Sequence, residues 1–168
     1  MRDVDLIEAA KAGDEHAFEM LHARHAPWAR AVALRFAPDE HAASDAVQEA
    51  FLDLWTRLPT FTLTAAFRSW LYPVVKHAAL SKRRKERREP PLPAMTREAA
   101  PEAGPLLEAL RLLPETQREV LVMRAVDEMS LDEIATALDI PVGTVKSRLH
   151  HALAKIREDE RLRRRYFP

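Results

Sequence analysis

The sequence contains no cysteine, and glycine accounts for only 3 of its 168 residues. Without cysteine the chain can form neither a disulfide nor a thiolate zinc site, which fits a protein of the reducing cytoplasm. No apolar run approaches the roughly 20 residues that a membrane span requires, and the N-terminus lacks the apolar segment of a signal peptide. We therefore expect a cytoplasmic protein with no membrane insertion. The 12 prolines favour helices separated by proline stops.

The chain also has no net charge, because 26 basic residues balance 26 acidic ones. The charges are nevertheless segregated along the sequence. Residues 38–56 contain five carboxylates and neither lysine nor arginine, whereas six of the seven residues from Lys82 to Arg88 are basic. This distribution indicates two different partners, one cationic and one anionic.

The acidic segment is predicted to be a helix that begins at Pro38-Asp39 and ends near Leu58, after a helical region from Asp5 to about Ala37. Its predicted core residues are Val47, Ala50, Phe51, Leu54 and Leu58. The opposite face carries Asp45, Gln48, Glu49, Asp53 and Thr56. An exposed face provides no burial to shift a carboxyl pKa, which argues against acid–base catalysis. The face is either solvated or a docking surface for an arginine-rich partner.

Two histidines of the first helical region, His22 and His25, lie three residues apart and could in principle bind a metal. Further ligands are not evident in the sequence, and a tetrahedral metal site needs three or four. We therefore expect no metal and no cofactor.

Four aromatic residues occur within a dozen positions just before the basic run: Phe61, Phe67, Trp70 and Tyr72. Aromatic rings beside cations suit a single nucleic-acid strand, because rings stack on unpaired bases while cations pair with phosphates. The alternative is core packing, which we expect for Phe67 and Trp70. Both interpretations are open for the segment as a whole.

A proline-rich segment follows, with five prolines between Glu89 and Pro105. We predict a linker over residues 89–105 that joins an N-terminal helical domain, residues 1–88, to a C-terminal helical domain, residues 106–168. The fold is therefore expected to be all-α with two small domains.

The stretch from Ser130 to Glu158 predicts a helix-turn-helix. Ser130 and Glu133 form a capping box, and Asp139-Ile140-Pro141 ends the first helix. The second helix is predicted to bury Val145, Leu149, Ala152, Leu153 and Ile156. Its other face carries Thr144, Lys146, Ser147, Arg148, His150 and His151. Such a face fits the DNA major groove, and the alternative is a helical hairpin whose basic face is only solvated.

With these motifs together, the chain resembles bacterial sigma factors of the extracytoplasmic-function (ECF) class. The N-terminal half resembles the family's region 2 through DAVQEAFLDLW at 45–55 and FRSWLY at 67–72. The C-terminal half resembles region 4 through LPETQREVLVMR at 113–124 and EIATALDIPVGTVKSRL at 133–149. The resemblance covers nearly the whole chain. It implies a sigma factor that binds core RNA polymerase, directs it to promoters and assists DNA melting, and that is not itself an enzyme.

The resemblance also implies roles for individual residues. The β′ clamp of the polymerase would be contacted by Asp45, Gln48, Glu49 and Asp53. The melted −10 strand would be bound by Phe61, Phe67, Tyr72, Lys76, His77, Arg83 and Arg84. The double-stranded −35 element would be read by Thr144, Lys146, Ser147, Arg148, His150 and His151. Region 4 would also contact the β flap, and an anti-sigma factor would hold the protein inactive.

The chain departs from the family pattern within these motifs. Pro73 and His151 stand where arginine is common, and Lys76-His77 replaces a frequent Arg-Asn. These departures bear on the promoter sequence more than on the function. They also leave an alternative, a sigma mimic that sequesters an anti-sigma factor without binding DNA. A second alternative, an ordinary repressor or activator, leaves the acidic helix and the aromatic segment without a role.

Overall fold

The computed structural model describes residues 1–86 and 110–158. The described residues are helical and include no β-strand, which confirms the prediction of an all-α fold. The chain divides into two compact units, unit 1 (Met1–Leu92) and unit 2 (Pro93–Pro168). The predicted linker, residues 106–109 of the predicted C-terminal domain and residues 159–168 lie outside the described residues.

Unit 1 begins with two helices, α1 (Asp3–Lys11) and α2 (Glu15–Leu34). Gly13 adopts a φ of 95°, a conformation that glycine enters without a Cβ clash, and so allows the chain to reverse between them. Asp14 then caps α2, since its side chain accepts a hydrogen bond from the amide of Ala17 at 3.1 Å.

Two further helices follow in unit 1. The helix α3 (Glu40–Arg57) is capped by Asp39, whose carboxylate accepts from the amide of Ala42 at 2.7 Å. A short 3-10 turn (Leu58–Thr60) and a loop lead to α4 (Phe67–Glu86), which contains Pro73. The predicted boundaries of the acidic helix are therefore confirmed.

The core of unit 1 forms where α2 packs against α1, α3 and α4. Its largest fully buried side chains are Leu6, Ile7, Leu21, Val32, Leu54, Phe67, Leu71 and Tyr72. Each such side chain contributes about 1.5–3 kcal/mol relative to an exposed position. This packing fixes the relative positions of α3 and α4, which carry the candidate binding residues of the unit.

A partly buried polar cluster joins the start of α1 to the middle of α2. The Nε2 atom of His25 lies 2.9 Å from Oδ2 of Asp3, and Nη1 of Arg24 donates to Oδ1 of Asp3 at 2.7 Å. His25 is 4% exposed and its ring packs 4.7 Å from that of Phe67. Burial lowers the pKa of His25, although Asp3 acts in the opposite direction. Burial also raises the pKa of Asp3, but hydrogen bonds from His25 and Arg24 outweigh it and the net pKa is lowered.

We expect the stability of unit 1 to fall between pH 7 and pH 5. The fold favours the neutral form of His25, so the unfolded chain takes up a proton first as the pH drops below about 6.5. Because the pKa of Asp3 is lowered in the folded state, the stability that its ionised carboxylate contributes is lost only at lower pH. A His25→Phe variant should lose most of this pH dependence, measured by urea unfolding followed by tryptophan fluorescence. His22→Gln, at an exposed position one turn away, should retain it. If the free energy of unfolding of His25→Phe varied with pH as steeply as that of the wild-type protein, the pH dependence could not be assigned to His25.

Unit 2 contains α5 (Glu115–Ala125), α6 (Leu131–Leu138) and α7 (Val142–Glu158). The capping box is confirmed, because the Ser130 amide donates to Oε2 of Glu133 at 2.7 Å and the Glu133 amide donates to the Ser130 hydroxyl at 3.2 Å. Asp139 ends α6 in the left-handed conformation, with φ and ψ both 51°. The two helices of a helix-turn-helix are therefore present as predicted.

A small apolar core packs α5 against α7 in unit 2. One cluster comprises Leu113, Leu121 and Ala152, with Leu110, Leu149 and Ile156 packed against it. Leu153, which was predicted to belong to the buried face of α7, is instead 42% exposed. That prediction was wrong because the buried stripe of α7 is narrower than the set of apolar residues on it.

Candidate polymerase and promoter interfaces

The acidic face of α3 is exposed as the sequence predicts, but its carboxylates are engaged within the chain. Gln48 and Glu49 are exposed, whereas Asp45 and Asp53 are half-buried. Oδ1 of Asp53 accepts from Nε of Arg57 at 2.8 Å, and Oδ2 of Asp45 lies 3.8 Å from Nε2 of His41. Both contacts span one helical turn, so they stabilise α3 only slightly and can exchange for a partner's cation.

Glu49 makes an ion pair that joins α3 to α4. Its Oε2 atom lies 2.8 Å from Nζ of Lys82, the first residue of the basic run on α4. The hydrogen bond to Glu49 raises the pKa of Lys82, and the negative charge of Asp45 adds to the effect. The side chains remain 31% and 54% exposed for Lys82 and Glu49 respectively, so the pair is weak and open to competition.

Two apolar side chains lie on the same surface of α3 as the carboxylates. Leu52 is 64% exposed and Trp55 is 41% exposed, and the Trp55 ring packs 4.8 Å from that of Phe18. Neither residue was predicted from the sequence to belong to a docking surface. Helical spacing gave part of the signal, because at 100° per residue Leu52 falls between Asp45 and Gln48 on the helix, away from the predicted core face. Spacing could not show whether another element covers that face. We name the surface formed by Asp45, Gln48, Glu49, Leu52, Asp53 and Trp55 the α3 face.

A groove of about 410 Å³ separates the edge of the α3 face from α4. Glu49, Asp53 and Arg57 line its α3 side, and Trp70, Pro73, Val74, His77 and Ala78 line its α4 side. The structure thus brings His77, a predicted DNA contact, next to two predicted polymerase contacts. Carboxylates on one wall repel phosphate, so the groove suits a planar or cationic group better than a nucleic-acid backbone.

The structure divides the predicted −10 residues into buried and accessible groups. Phe67 is 2% exposed and Tyr72 is fully buried, so neither ring presents a surface to a base. The prediction that these two rings contact DNA is corrected, because they complete the core beneath α4.

The accessible residues of the predicted −10 set lie in the loop before α4 and on α4 itself. Phe61 and Trp70 are partly exposed, with ring centroids 4.9 Å apart, although Trp70 was expected to point into the core. Lys76 lies over the ring of Phe36 at 5.2 Å, and His77 is exposed. Arg83 and Arg84 are exposed in the last described turns of α4. The rings and the cations that a single strand requires are therefore both present at the surface.

The recognition helix α7 presents the predicted polar residues on its outer side. Val145 and Ala152 are fully buried against the rest of unit 2. Lys146, Ser147, His150 and His151 are exposed, and Thr144 and Arg148 are partly exposed. The His150 and His151 rings lie 5.7 Å apart, and Nδ1 of His151 lies 2.8 Å from the carbonyl oxygen of Ser147. This face combines hydrogen-bond donors, a hydroxyl and two imidazoles, which suits base edges and phosphates.

Among the described residues, no three His, Asp or Glu side chains are grouped so as to hold a metal ion. The described helices also include none that is both long and apolar enough to cross a membrane.

Comparison with known protein families identifies the two units. Residues 21–89 match the family described as "Sigma-70 region 2", and residues 103–156 match "Sigma-70, region 4". The α3 face and the accessible aromatic residues fall in the first match, and the recognition helix falls in the second. The fold and its candidate sites therefore define a protein of the sigma-70 type.

Full-length relatives make the class specific. The chain is 31% identical over 173 residues to the RNA polymerase sigma-H factor of Pseudomonas aeruginosa, covering 90% of both chains. It is 31% identical over 174 residues to the ECF RNA polymerase sigma-E factor of Escherichia coli K12, covering 90% of this chain and 91% of that one. The protein belongs to the ECF class of RNA polymerase sigma factors, the initiation factors that bind core polymerase and promoter DNA.

Solved structures agree with this fold. CnrH, solved in complex with the cytosolic domain of CnrY, superposes with a TM-score of 0.68 at 28% identity, covering 91% of this chain and 93% of that one. RpoE of Bartonella quintana, solved with the anti-sigma factor NepR, superposes with a TM-score of 0.62 at 22% identity, covering 84% and 94%. At that identity the second likeness concerns the fold alone.

Proposed function

We propose that the α3 face docks on core RNA polymerase, that the accessible residues of α4 and the preceding loop hold the melted −10 strand, and that α7 reads the −35 duplex. Residues 1–88 act as the region 2 domain, residues 89–105 as the linker and residues 106–168 as the region 4 domain. The observation that carries the proposal is that each matched region presents a surface with the chemistry its role requires.

The α3 face has the composition of a protein-docking surface. Exposed Leu52 and Trp55 supply apolar area that a partner can cover, and aromatic residues are common energetic centres of interfaces. The surrounding carboxylates select a cationic partner. Because Glu49 and Asp53 already pair with Lys82 and Arg57, an incoming arginine exchanges one ion pair for another. The carboxylates therefore contribute mainly to specificity, and the apolar residues contribute most of the affinity.

The −10 strand is proposed to meet the surface formed by Phe61, Trp70, His77, Arg83 and Arg84. An unpaired base stacks on Phe61 and Trp70, whose rings form an edge-to-face pair. The two arginines neutralise phosphates of the same strand. Phe67 and Tyr72 act beneath this surface by holding α4 in place.

The physiological setting follows from the class. The protein acts in the cytoplasm as a binding and positioning factor, while the polymerase performs the chemistry. Region 4 additionally contacts the β flap. CnrH was solved with the cytosolic domain of CnrY and the Bartonella RpoE with the anti-sigma factor NepR, and we propose that an anti-sigma factor controls this protein.

Run-off transcription tests the proposal directly. The purified protein is added to sigma-free core polymerase on a pool of genomic fragments from its own source. We expect discrete start sites that are absent from the core-only reaction, preceded by a shared −35 and −10 sequence. Binding to core without any transcript would contradict the promoter-reading role. Failure to bind core would favour the alternative of a sigma mimic that sequesters an anti-sigma factor.

We expect Arg148→Ala to weaken binding of the holoenzyme to its −35 element by about 1–3 kcal/mol, because a bidentate arginine–guanine contact is worth that much. A gel shift with matched and mutated −35 sequences measures the loss. Arg157→Ala removes the same charge from the C-terminal end of the same helix and should have a smaller effect. Equal losses in the two variants would indicate a general charge effect instead of base reading.

A further inference from the structure

His151 on α7 has one ring nitrogen committed within the protein. Its Nδ1 lies 2.8 Å from the carbonyl oxygen of Ser147, one helical turn earlier. The Ser147 hydroxyl is also near Nδ1, at 3.5 Å. Because a carbonyl oxygen can only accept a hydrogen bond, Nδ1 must carry a proton in either charge state of the ring.

This contact determines what the other nitrogen can do. In a neutral imidazole only one nitrogen carries a proton, so Nε2 of His151 is then an acceptor. Over the described residues, both hydrogen-bond contacts of the ring involve Nδ1. The side chain is exposed on the outer surface of α7, so Nε2 is available to a ligand.

The major groove offers few donors to such an acceptor. Adenine presents its N6 amino group and cytosine its N4 amino group, whereas guanine N7 and O6, thymine O4 and the phosphates only accept. Lys146 and Arg148 carry only donors and therefore suit guanine and phosphate. The fixed tautomer gives His151 the opposite preference.

We propose that His151 determines part of the −35 sequence by accepting, through Nε2, a hydrogen bond from the amino group of an adenine or cytosine. The inference rests on the proposed −35 role of α7. In the major groove every base pair presents one exocyclic amino group, on adenine or on cytosine, so the preference concerns which strand carries it. At the contacted position, the strand facing His151 carries adenine or cytosine. Guanine or thymine there would place a base acceptor against Nε2 of His151, which is also an acceptor.

The first experiment is selection of −35 duplexes from a randomised library by the holoenzyme at pH 8, where imidazole side chains are ordinarily neutral. We expect one position at which the wild-type protein enriches adenine or cytosine on one strand. The His151→Arg variant should enrich guanine at that position, because it replaces an acceptor with donors. The preferences at the other positions should be unchanged.

The second experiment removes the amino group from the major groove. If the selected base is adenine, 2-aminopurine, which carries its amino group on the minor-groove side, is substituted; if it is cytosine, 2-pyrimidinone is used. Loss of one neutral hydrogen bond should weaken wild-type binding about 5-fold. The His151→Ala holoenzyme should bind both duplexes equally. Circular dichroism confirms that each variant is folded.

The outcomes separate this inference from the function on which it rests. A wild-type protein indifferent to the missing amino group, or a His151→Ala variant that still responds to it, would overturn the role of His151. A His151→Ala variant weakened equally on every duplex would assign the side chain to a phosphate instead. If the holoenzyme enriches no −35 sequence at all, the proposed reading of DNA by α7 fails first, and the inference fails with it.

Discussion

Replacement of Tyr72 by alanine is expected to destabilise unit 1 by about 3–5 kcal/mol, the range for loss of a large buried aromatic side chain. Tyr72 is fully buried, and its ring meets that of Phe36 edge-on at 6.4 Å. A loss of this size is a large share of the 5–15 kcal/mol that holds most domains folded. Core binding and promoter opening should therefore both fail in this variant.

Urea unfolding followed by tryptophan fluorescence measures the effect on unit 1 alone, because Trp28, Trp55 and Trp70 all lie there. Tyr72→Phe keeps the ring and should retain most of the stability and the activity. Phe61→Ala, at a partly exposed position against Trp70, should cost less stability while impairing promoter opening. If the Tyr72→Ala protein had normal stability and failed only in promoter opening, Tyr72 would have to contact DNA directly.

The aromatic residues show why the sequence could not assign this surface completely. Four aromatic rings within twelve positions are compatible with a base-stacking surface and with a hydrophobic core, because large planar side chains suit both. The deciding quantity is the burial of each side chain, which depends on α2 and α3 as well as on α4. Phe67 and Tyr72 turn inward, whereas Phe61 and Trp70 remain accessible.

Features that depend on adjacent residues were predicted more reliably. The capping box of Ser130 and Glu133 and the helix end at Asp139 depend only on the local chain, and both are present. Leu153 and Leu52 required more than local information. Helical spacing places an apolar residue on a face, but whether that face is covered depends on elements distant in the sequence. Leu153 was therefore wrongly assigned to the core, and Leu52 was not recognised as part of a docking surface.

The contact between Glu49 and Lys82 lies entirely beyond sequence reasoning. The two residues are far apart along the chain, and only the packing of α3 on α4 brings their side chains to 2.8 Å. The sequence assigned the acidic and basic segments to separate partners. The structure shows that in the free protein these two segments partly neutralise each other's charge through this ion pair.

Reversal of the charge at Glu49 is expected to weaken binding to core polymerase about 30-fold, or about 2 kcal/mol, because it places a cation opposite a cationic partner. The fold should be unaffected, since a surface ion pair contributes at most about 1 kcal/mol. Fluorescence anisotropy of the labelled protein titrated with core polymerase measures the affinity. Glu8→Lys is the matched control: Glu8 is also an exposed carboxylate paired with a lysine, at 2.9 Å from Lys11, but it lies on α1.

A charge-swapped double variant separates docking from the internal ion pair. In Glu49→Lys/Lys82→Glu the bridge between α3 and α4 can form with its polarity reversed, so any effect of losing that bridge is repaired. Position 49 of the α3 face still carries a positive charge in this variant, so we expect the affinity for core polymerase to remain low. If the double variant instead binds core as the wild-type protein does, Glu49 acts by holding α3 against α4 and not by contacting the polymerase. In that case the affinity of the α3 face would come from Leu52 and Trp55, whose exposed apolar surface the swap leaves untouched.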